Sequence, residues 1–135
     1  MPKIQKSVDM AGNLDLFTDK KVYKIGDTMT VSFMVDKPMF VRLVIVNSKN
    51  EVSTLFPNPM QSDNFLKPGV NYSIPPAGAD WSLDIGAPAG TDFIKGVASM
   101  NPIPAGAIHF KGNEFDMELM ADFPIRTSIP IVIKE

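Results

Sequence analysis

The chain contains a single histidine, and nucleophilic hydrolysis of the familiar kinds would have to use it. His109 stands between Ile108 and Phe110. A Ser-His-Asp or Cys-His site needs this imidazole as its base, but the chain has no cysteine and no Gly-x-Ser-x-Gly elbow. A histidine-based zinc site is poorly supplied as well, because only carboxylates remain as further ligands. We therefore interpret His109 as a surface or packed strand histidine and expect no enzymatic activity.

Oxygen-bearing side chains are the next candidates for chemistry. Asn58, Asp63 and Asn64 could offer ligands to calcium, which takes roughly six to eight, but their spacing matches no EF-hand loop. Asx turns account for these residues more simply. Glycosidase chemistry needs a pair of carboxylates, and the sequence singles out no pair among its candidates, which are Asp84, Asp92, Asp116 and Glu118. We expect no metal and no cofactor.

Two aromatic residues could form a stacking platform for a glycan. Tyr72 and Trp81 follow the turn-rich loop 57–70. Trp81 alternates with Leu83 and Ile85, however, and this register points it into the core. The residues that we predict for contact with a ligand or partner are Asn58, Asp63, Asn64, Tyr72 and Trp81. The preferred interpretation of the loop is structural, as a compact connection that Phe56 and Leu66 pin to the fold.

Methionine is abundant but dispersed. The chain has nine methionines, whereas a copper(I) site needs thioethers that lie close together in the sequence or structure. Scattered methionines are typical of irregular core filling. We predict that they fill the core.

Length, charge and apolar content limit the remaining classes of function. The length of 135 residues predicts one domain over 1–135. The net charge is −2 and no long basic run occurs, so nucleic acid is not an expected partner. No apolar run of about 18 residues occurs, so we expect no membrane insertion. Residues 1–17 show no signal peptide, and the compartment stays open: periplasmic or extracellular if a leader has been removed, otherwise cytoplasmic.

Alternating hydrophobicity predicts strands along most of the chain. Met29, Val31, Phe33 and Val35 alternate with less apolar residues, which is typical of a strand with one half-exposed face. Residues 39–47 are apolar on both faces apart from Arg42, which predicts a central strand, and 40–56 reads as a hairpin. Further strands are predicted at 71–75, 81–86, 92–99 and 128–135. Gly96 and Ala98 would allow close packing, and Pro130 favours a sheet edge.

One segment is ambiguous between strand and helix. Residues 112–122 place Phe115, Met117 and Leu119 in strand register. The same segment fits a short helix with Asn113 as N-cap and acidic residues in the first turn. We favour the short helix. With turn signals between the strands, the fold class is predicted as an all-β, Ig-like antiparallel sandwich with one short helix near 112–122.

A family resemblance enters at Tyr23-x-x-Gly26-Asp27, which precedes an alternating strand. This opening resembles bacterial Ig-like and macroglobulin-like sandwich modules. The order of the following pieces, with Leu-Phe-Pro-Asn at 55–58 and Pro-x-Gly before an Ile/Val strand, is similar to a bacterial domain-of-unknown-function family. The resemblance covers about 17–100 and leaves 101–135 as a closing segment. It implies a non-catalytic accessory module of envelope or secreted proteins.

Two functions from different classes follow as expectations. The first is a protein-interaction module, associated with the bacterial envelope, that offers a strand edge such as 128–135 to a protein partner. The alternative is a glycan-binding or peptide-binding module that uses loop 57–70 with Tyr72 and Trp81. A hydrolase would require His109 beside a carboxylate and a hydroxyl in one pocket.

Overall fold

The structure, a computed structural model, describes residues 12–135 and folds them almost wholly as β-strands. In chain order the strands are β1 (Leu14–Thr18), β2 (Val22–Lys24), β3 (Thr28–Met29), β4 (Val31–Val35), β5 (Met39–Val46), β6 (Val52–Phe56), β7 (Phe65–Leu66), β8 (Tyr72–Ile74), β9 (Leu83–Asp84), β10 (Gly90–Ser99), β11 (Phe110–Lys111), β12 (Glu114–Phe115) and β13 (Ile125–Lys134). One 3₁₀ turn spans Ala105–Ala107. The first eleven residues of the predicted domain, including most of the segment examined for a signal peptide, lie outside the described residues.

Two sheets form the body of the molecule. The larger sheet has the order β2-β13-β10-β5-β6, and β7 pairs with the other end of β5. The smaller sheet has the order β1-β4-β8. The β13–β2 pair is parallel, whereas the neighbours within the rest of both sheets are antiparallel. Two short ribbons, β3–β9 and β11–β12, complete the described part of the chain. The predicted all-β, sandwich-like class is confirmed.

The main core lies between the two sheets, where the alternating residues of each strand meet. Val31, Phe33 and Val35 of β4 are buried, as the period-two pattern predicts. A Cβ added at Gly96 of β10 would lie 2.7 Å from Leu14 Cδ2 and 2.9 Å from Leu43 Cδ2. The predicted close packing at Gly96 is therefore confirmed, because a side chain from the opposite sheet rests directly on its backbone.

The Tyr23-x-x-Gly26-Asp27 stretch builds a tight corner between β2 and β3. Tyr23 is buried, and its hydroxyl donates to Asp19 Oδ1 at 2.5 Å. Burial raises the pKa of Tyr23 to about 12, and the bond to Asp19 adds to the increase. Gly26 has a φ of 98°, which favours glycine, and Asp27 Oδ2 accepts the backbone N–H of Lys24 at 2.8 Å. These contacts fix the chain direction at the corner between β2 and β3.

The predicted hairpin at 40–56 is confirmed as β5 and β6. Its turn is held by Asn47 Oδ1, which accepts the backbone N–H groups of Lys49 at 2.9 Å and Glu51 at 3.0 Å. The register shifts between Leu43 and Val44, so that Leu55 is an extra residue on β6. This bulge lets the adjacent residues Leu55 and Phe56 both be buried.

The prediction of a short helix near 112–122 is wrong. Residues 110–115 form the β11–β12 hairpin, in which Gly112 has a φ of 63°. Asp116, not Asn113, then caps a single turn, since its Oδ1 accepts the N–H groups of Glu118 at 3.1 Å and Leu119 at 3.2 Å. The turn does not extend into a helix because its apolar residues share no buried face: Met117 and Leu119 are exposed while Met120 is buried.

A second, smaller core lies on the outer face of the large sheet, away from the small sheet. Val97 of β10 is buried there together with Ile103 and Met120 from the segment 101–124. Arg42 Nε ties this segment to β5 by donating to the carbonyl of Ile103 at 2.6 Å. The closing segment thus covers part of a sheet face that would otherwise be open. Among residues 12–135, no helix is long and apolar enough to cross a membrane.

Candidate functional site

The polar residues predicted for contact in loop 57–70 are engaged in the loop's own turns. The Asn58 amide donates to the carbonyl of Leu55 at 2.9 Å, and Asp63 Oδ1 accepts the N–H of Phe65 at 3.2 Å. The Asn64 amide donates to the carbonyl of Val41 at 3.0 Å, which ties the loop to β5. These are the side-chain-to-backbone bonds of a structural connection.

The two predicted aromatic contacts lie against the main core. Tyr72 stacks on Phe33 with ring centroids 5.9 Å apart, and its hydroxyl accepts the N–H of Lys67 at 2.9 Å. Trp81 is half-buried and packs against the core, as its register predicts. Within residues 12–135, no aromatic pair joins Tyr72 to Trp81, so the structure does not bring them together as one platform.

The groups considered for catalysis are dispersed as well. His109 is exposed, and its ring takes part in no hydrogen bond or ion pair with the described residues. Asp116 is occupied as a cap, and Glu118 is exposed. No cluster of three metal-binding side chains is found where the structure describes the chain. Of the four carboxylates considered as pairs, only Asp84 and Asp92 line a common cavity.

That cavity, which we call the Asp92 cleft, opens at one end of the main core. Its volume is about 270 Å³. It lies between the core-facing sides of β5, β6 and β10 and the β3–β9 ribbon. The lining residues are Met29, Ile45, Asn47, Glu51, Ser53, Leu55, Leu83, Asp84, Ile85, Gly86, Ala87 and Asp92. The cleft therefore combines apolar walls with three carboxylates and no basic side chain.

Asp92 is the most unusual residue of the cleft. It stands in the inward register of β10, opposite Ile131, and only 7% of it is exposed. Its Oδ1 is buried without a hydrogen-bond partner, and no cation lies within ion-pair distance among the residues described. Burial raises the pKa of its carboxyl above the ordinary value, against the opposing effect of a backbone hydrogen bond from Ser48. A buried acceptor without a partner costs stability.

Lys95, the other buried charge on β10, lies on the opposite face of the sheet and has partners. Its Nζ donates to Ser128 Oγ at 3.0 Å and lies over the rings of Phe93 and Phe115 at 5.3 and 5.1 Å. Burial lowers the pKa of its ammonium group, and the charge of Glu114 opposes this decrease. Lys95 is satisfied within the fold, whereas Asp92 is not.

A second cavity lies on the outer face of the large sheet, and we call it the Arg42 pocket. Its volume is about 230 Å³. Arg42 and Thr54 give its lining a polar share, and the full set of lining residues is Arg42, Val44, Val52, Thr54, Ala105, Ile108 and Phe110. It is closed on one side by the segment that covers the second core.

Strand β6 separates the two cavities and forms an edge of the large sheet. The N–H of Asn47 donates to the carbonyl of Glu51 at 3.0 Å. Since hydrogen-bonded and non-bonded pairs alternate along an antiparallel ladder, the register of β5 with β6 directs the N–H and C=O of Val52 and Thr54 away from β5. Val52 and Thr54 line the Arg42 pocket, while Ser53 lines the Asp92 cleft. Within the part of the chain that the structure describes, a free backbone edge thus runs between a cavity on each face.

Strand β13, whose residues 128–135 were predicted as an edge, is less available than β6 for pairing with an added strand. Val132, Ile133 and Lys134 pair with β2. Val132 donates its N–H to the carbonyl of Lys21 at 2.9 Å. The backbone N–H and C=O groups of the even-numbered residues of β13 therefore point toward β2. Pro130 falls in that series and has no N–H to offer. Its position agrees with the prediction that Pro130 avoids a ladder hydrogen bond.

The sequence alone does not single out Asp92, because it does not give the register of the strands. Asp92 was among the predicted carboxylates, but nothing separated it from the others. The signal that could have found it is a charged residue in phase with Ile94 and Gly96, both on the core face of β10. Arg42 was visible as the one charge in an apolar strand.

Comparison with known proteins identifies a family without assigning an activity. A family model described as a domain of unknown function, DUF4384, matches residues 22–102. The matched stretch runs from β2 to just past β10 and includes β6 and Asp92. A search of curated proteins found no match.

Proposed function

The chain belongs to the family of domains of unknown function DUF4384, and we propose that it is a non-catalytic interaction module that binds an extended segment of a partner protein along β6. The observation that carries the proposal is the free edge of β6 with a cavity on each face. Strand addition gains affinity from main-chain hydrogen bonds and specificity from pockets that accept alternate side chains. The edge of β6 offers both the backbone groups and the pockets.

The chemistry of the two cavities defines the partner segment. Side chains of an added strand alternate between faces. Those on the outer face would enter the Arg42 pocket, where five of the seven lining residues are apolar, and those on the other face would meet the acidic Asp92 cleft. The partner is thus an extended segment that alternates apolar residues with polar or basic ones.

The edge of β6 has a bulge at Leu55 but carries no lysine, proline or inward charge of the kinds that block association. Edge strands are commonly protected by lysine, proline or inward charges. Residues Val52–Phe56 contain none of these, and Val52 is 46% exposed. On β13, by contrast, Pro130 interrupts the row of backbone N–H donors. The edge of β6 is therefore the better docking site of the two.

Other predictions about function remain as they were stated. The ligand-binding alternative at loop 57–70 is less well supported than the β6 edge, because the loop's polar groups already have internal partners. The envelope location and the Ig-like relationship stay predictions. The non-catalytic assignment is supported by His109, which is exposed, has no partner for its ring among residues 12–135 and lies outside the lining of both cavities.

A peptide-display selection against the intact chain tests the proposal. We expect the recovered peptides to alternate apolar and polar or basic residues. Thr54→Pro removes one outward N–H and should weaken the binding of a recovered synthetic peptide about tenfold or more. Thr54→Val is the matched control, because it keeps the backbone donor at the same position.

Two results would contradict strand addition at β6. One is equal peptide affinity for the Thr54→Pro variant and the unmodified chain, with the variant shown to be folded by its amide spectrum. The other is a recovered peptide whose amide shift changes lie only outside β6 and its two cavities.

A further inference from the structure

We infer that the Asp92 cleft binds a cationic nitrogen carried on an aliphatic stem, the chemistry of a lysine or arginine side chain. The inference relies on the proposed function only for the source of that side chain. Recognition of the cation itself is argued from the cleft alone.

The cleft is acidic. Asp92, Glu51 and Asp84 line it, and among residues 12–135 no lysine or arginine does. Carboxylates gathered at low-dielectric walls produce a local negative potential that attracts cations. Since no cluster of metal-binding side chains is found among residues 12–135, a single-point cation such as ammonium suits the cleft better than a multiply coordinated metal ion.

One oxygen of Asp92 is left unpaired in the cleft. The residue is 7% exposed, and its Oδ1 has no hydrogen-bond partner among residues 12–135. Native proteins seldom leave a buried acceptor unsatisfied. A donor that enters the cleft would pair with this carboxylate, and hydrogen bonds to charged groups are the stronger ones. The unpaired oxygen of Asp92 points to a ligand with N–H donors.

The cleft also has apolar walls. Ile45, Leu55 and Leu83 contribute to its lining together with Asp92. Long basic side chains cover apolar surfaces with their methylene groups and keep the charged end at a polar site. Here the charged end would meet Asp92 in the interior, and the stem would lie against the walls.

Strand β6 leads from its edge into the cleft. Ser53 lines the cleft and is paired with Ile45, another lining residue. A residue opposite Ser53 on an added strand would share its face of the sheet. Such a residue would enter the cleft beside Leu55 of β6 and Glu51, which precedes β6.

The experiment titrates the isotope-labelled intact chain with pentylammonium and follows its amide spectrum. Saturable shifts are expected around Asp92, Ser53 and Leu83. Neutral 1-pentanol, which has the same stem, should bind roughly tenfold more weakly or not at all. A parallel titration with pentylguanidinium distinguishes the lysine-like from the arginine-like source: tighter binding of either identifies the preferred side chain.

Variants test the role of the carboxylate. Asp92→Asn should reduce pentylammonium affinity about tenfold or more, and Glu51→Gln should weaken binding less because Glu51 lies at the exposed rim. Asp63→Asn is the matched control, since Asp63 is engaged in a turn away from the cleft, and it should bind like the unmodified chain. Equal binding of pentanol and pentylammonium, or unchanged affinity in Asp92→Asn, would overturn the inference. If Asp92→Asn fails to fold, the comparison of pentanol with pentylammonium still decides.

Failure of this inference can be told apart from failure of strand addition. The Thr54→Pro variant loses a backbone donor but keeps the cleft, so it should bind pentylammonium normally. If peptides bind to β6 while alkylammonium does not bind, strand addition stands and the cation site is rejected. If alkylammonium binds in the cleft and peptides ignore β6, the reverse holds.

Discussion

At the scale of single residues, Asp92 contrasts with the other charges of the fold. Lys95 gains a hydroxyl and two aromatic rings, and Asp116 gains two backbone donors. Asp92 leaves one oxygen unpaired in a position where valine or isoleucine would extend the core. A residue that costs stability and sits in a cavity is a candidate for function.

The pH dependence of stability should reveal this cost. A carboxyl whose pKa is raised in the folded state binds its proton more tightly there than in the unfolded chain. Its contribution to stability is greatest below the ordinary pKa of 3.8 and is lost as pH rises through the higher folded value. We expect Asp92→Asn to be more stable than the unmodified chain at neutral pH, and the difference to shrink in acid.

Urea unfolding of both proteins across acidic to neutral pH measures this effect. Glu51 and Asp84 line the same cleft, so Glu51→Gln is the control for a general decrease in repulsion between carboxylates. It should increase the free energy of unfolding less than Asp92→Asn does. A variant that is less stable than the unmodified chain at neutral pH would show that Asp92 has a stabilising partner.

At the scale of elements, the sequence predicted the central strands, whose burial follows from their own alternation. β4 and β5 are long enough to show the period of two, and the β5–β6 hairpin has a polar turn that marks its bend. β1 was missed although its burial alternates over five residues, whereas β2 and β7 were missed because they contain only three and two residues. Their existence depends on distant partners, β13 and β5, which short patterns cannot specify.

The segment 112–122 is a second case in which the local sequence pattern does not determine the structure. Its acidic residues and apolar spacing fit a helix locally, but its actual contacts are with the outer face of β10. Only Met120 of the turn reaches that face, while Met117 stays 62% exposed. The expectation that methionines fill the core holds for Met120, Met29 and Met39 but not for Met117 or Met60.

Met120 should therefore hold the closing segment on the sheet. Met120→Ala removes a fully buried side chain, and we expect it to reduce the free energy of unfolding by about 2–5 kcal/mol. Met117→Ala is the control in the same turn and should change stability by less than about 0.5 kcal/mol. Equal effects of the two substitutions on urea unfolding would show that the turn does not anchor the segment.

At the scale of the whole molecule, the candidate site is assembled from parts of the chain that only the fold brings together. The Asp92 cleft takes residues from β3, β5, β6, β9 and β10, which are spread from Met29 to Asp92. The sequence contained these residues but not the register that turns Asp92 inward and Lys95 outward. Carboxylate spacing along the chain was therefore uninformative about the pair that the fold creates.

The matched family region does not coincide with the structural unit. It spans residues 22–102, yet β1 and β13 lie outside it. Leu14 and Leu16 of β1 and Ile131 and Ile133 of β13 are buried in the main core. Strand β13 also pairs with β10 from Gly90 to Ala98, so its loss would expose the backbone and the inner face of the central sheet.

A fragment of residues 22–102 should therefore fail to fold, although it contains the whole matched family region. Removing β1 and β13 takes core side chains from both sheets and leaves β10 without one neighbour, a loss larger than the marginal stability of a typical domain, about 5–15 kcal/mol. We expect the fragment to give a collapsed amide spectrum and no cooperative unfolding, whereas the intact chain gives a dispersed spectrum and one transition. A well-dispersed fragment spectrum that still shows the response of Asp92 to pentylammonium would contradict this, because it would place both the fold and the cation site within residues 22–102 alone.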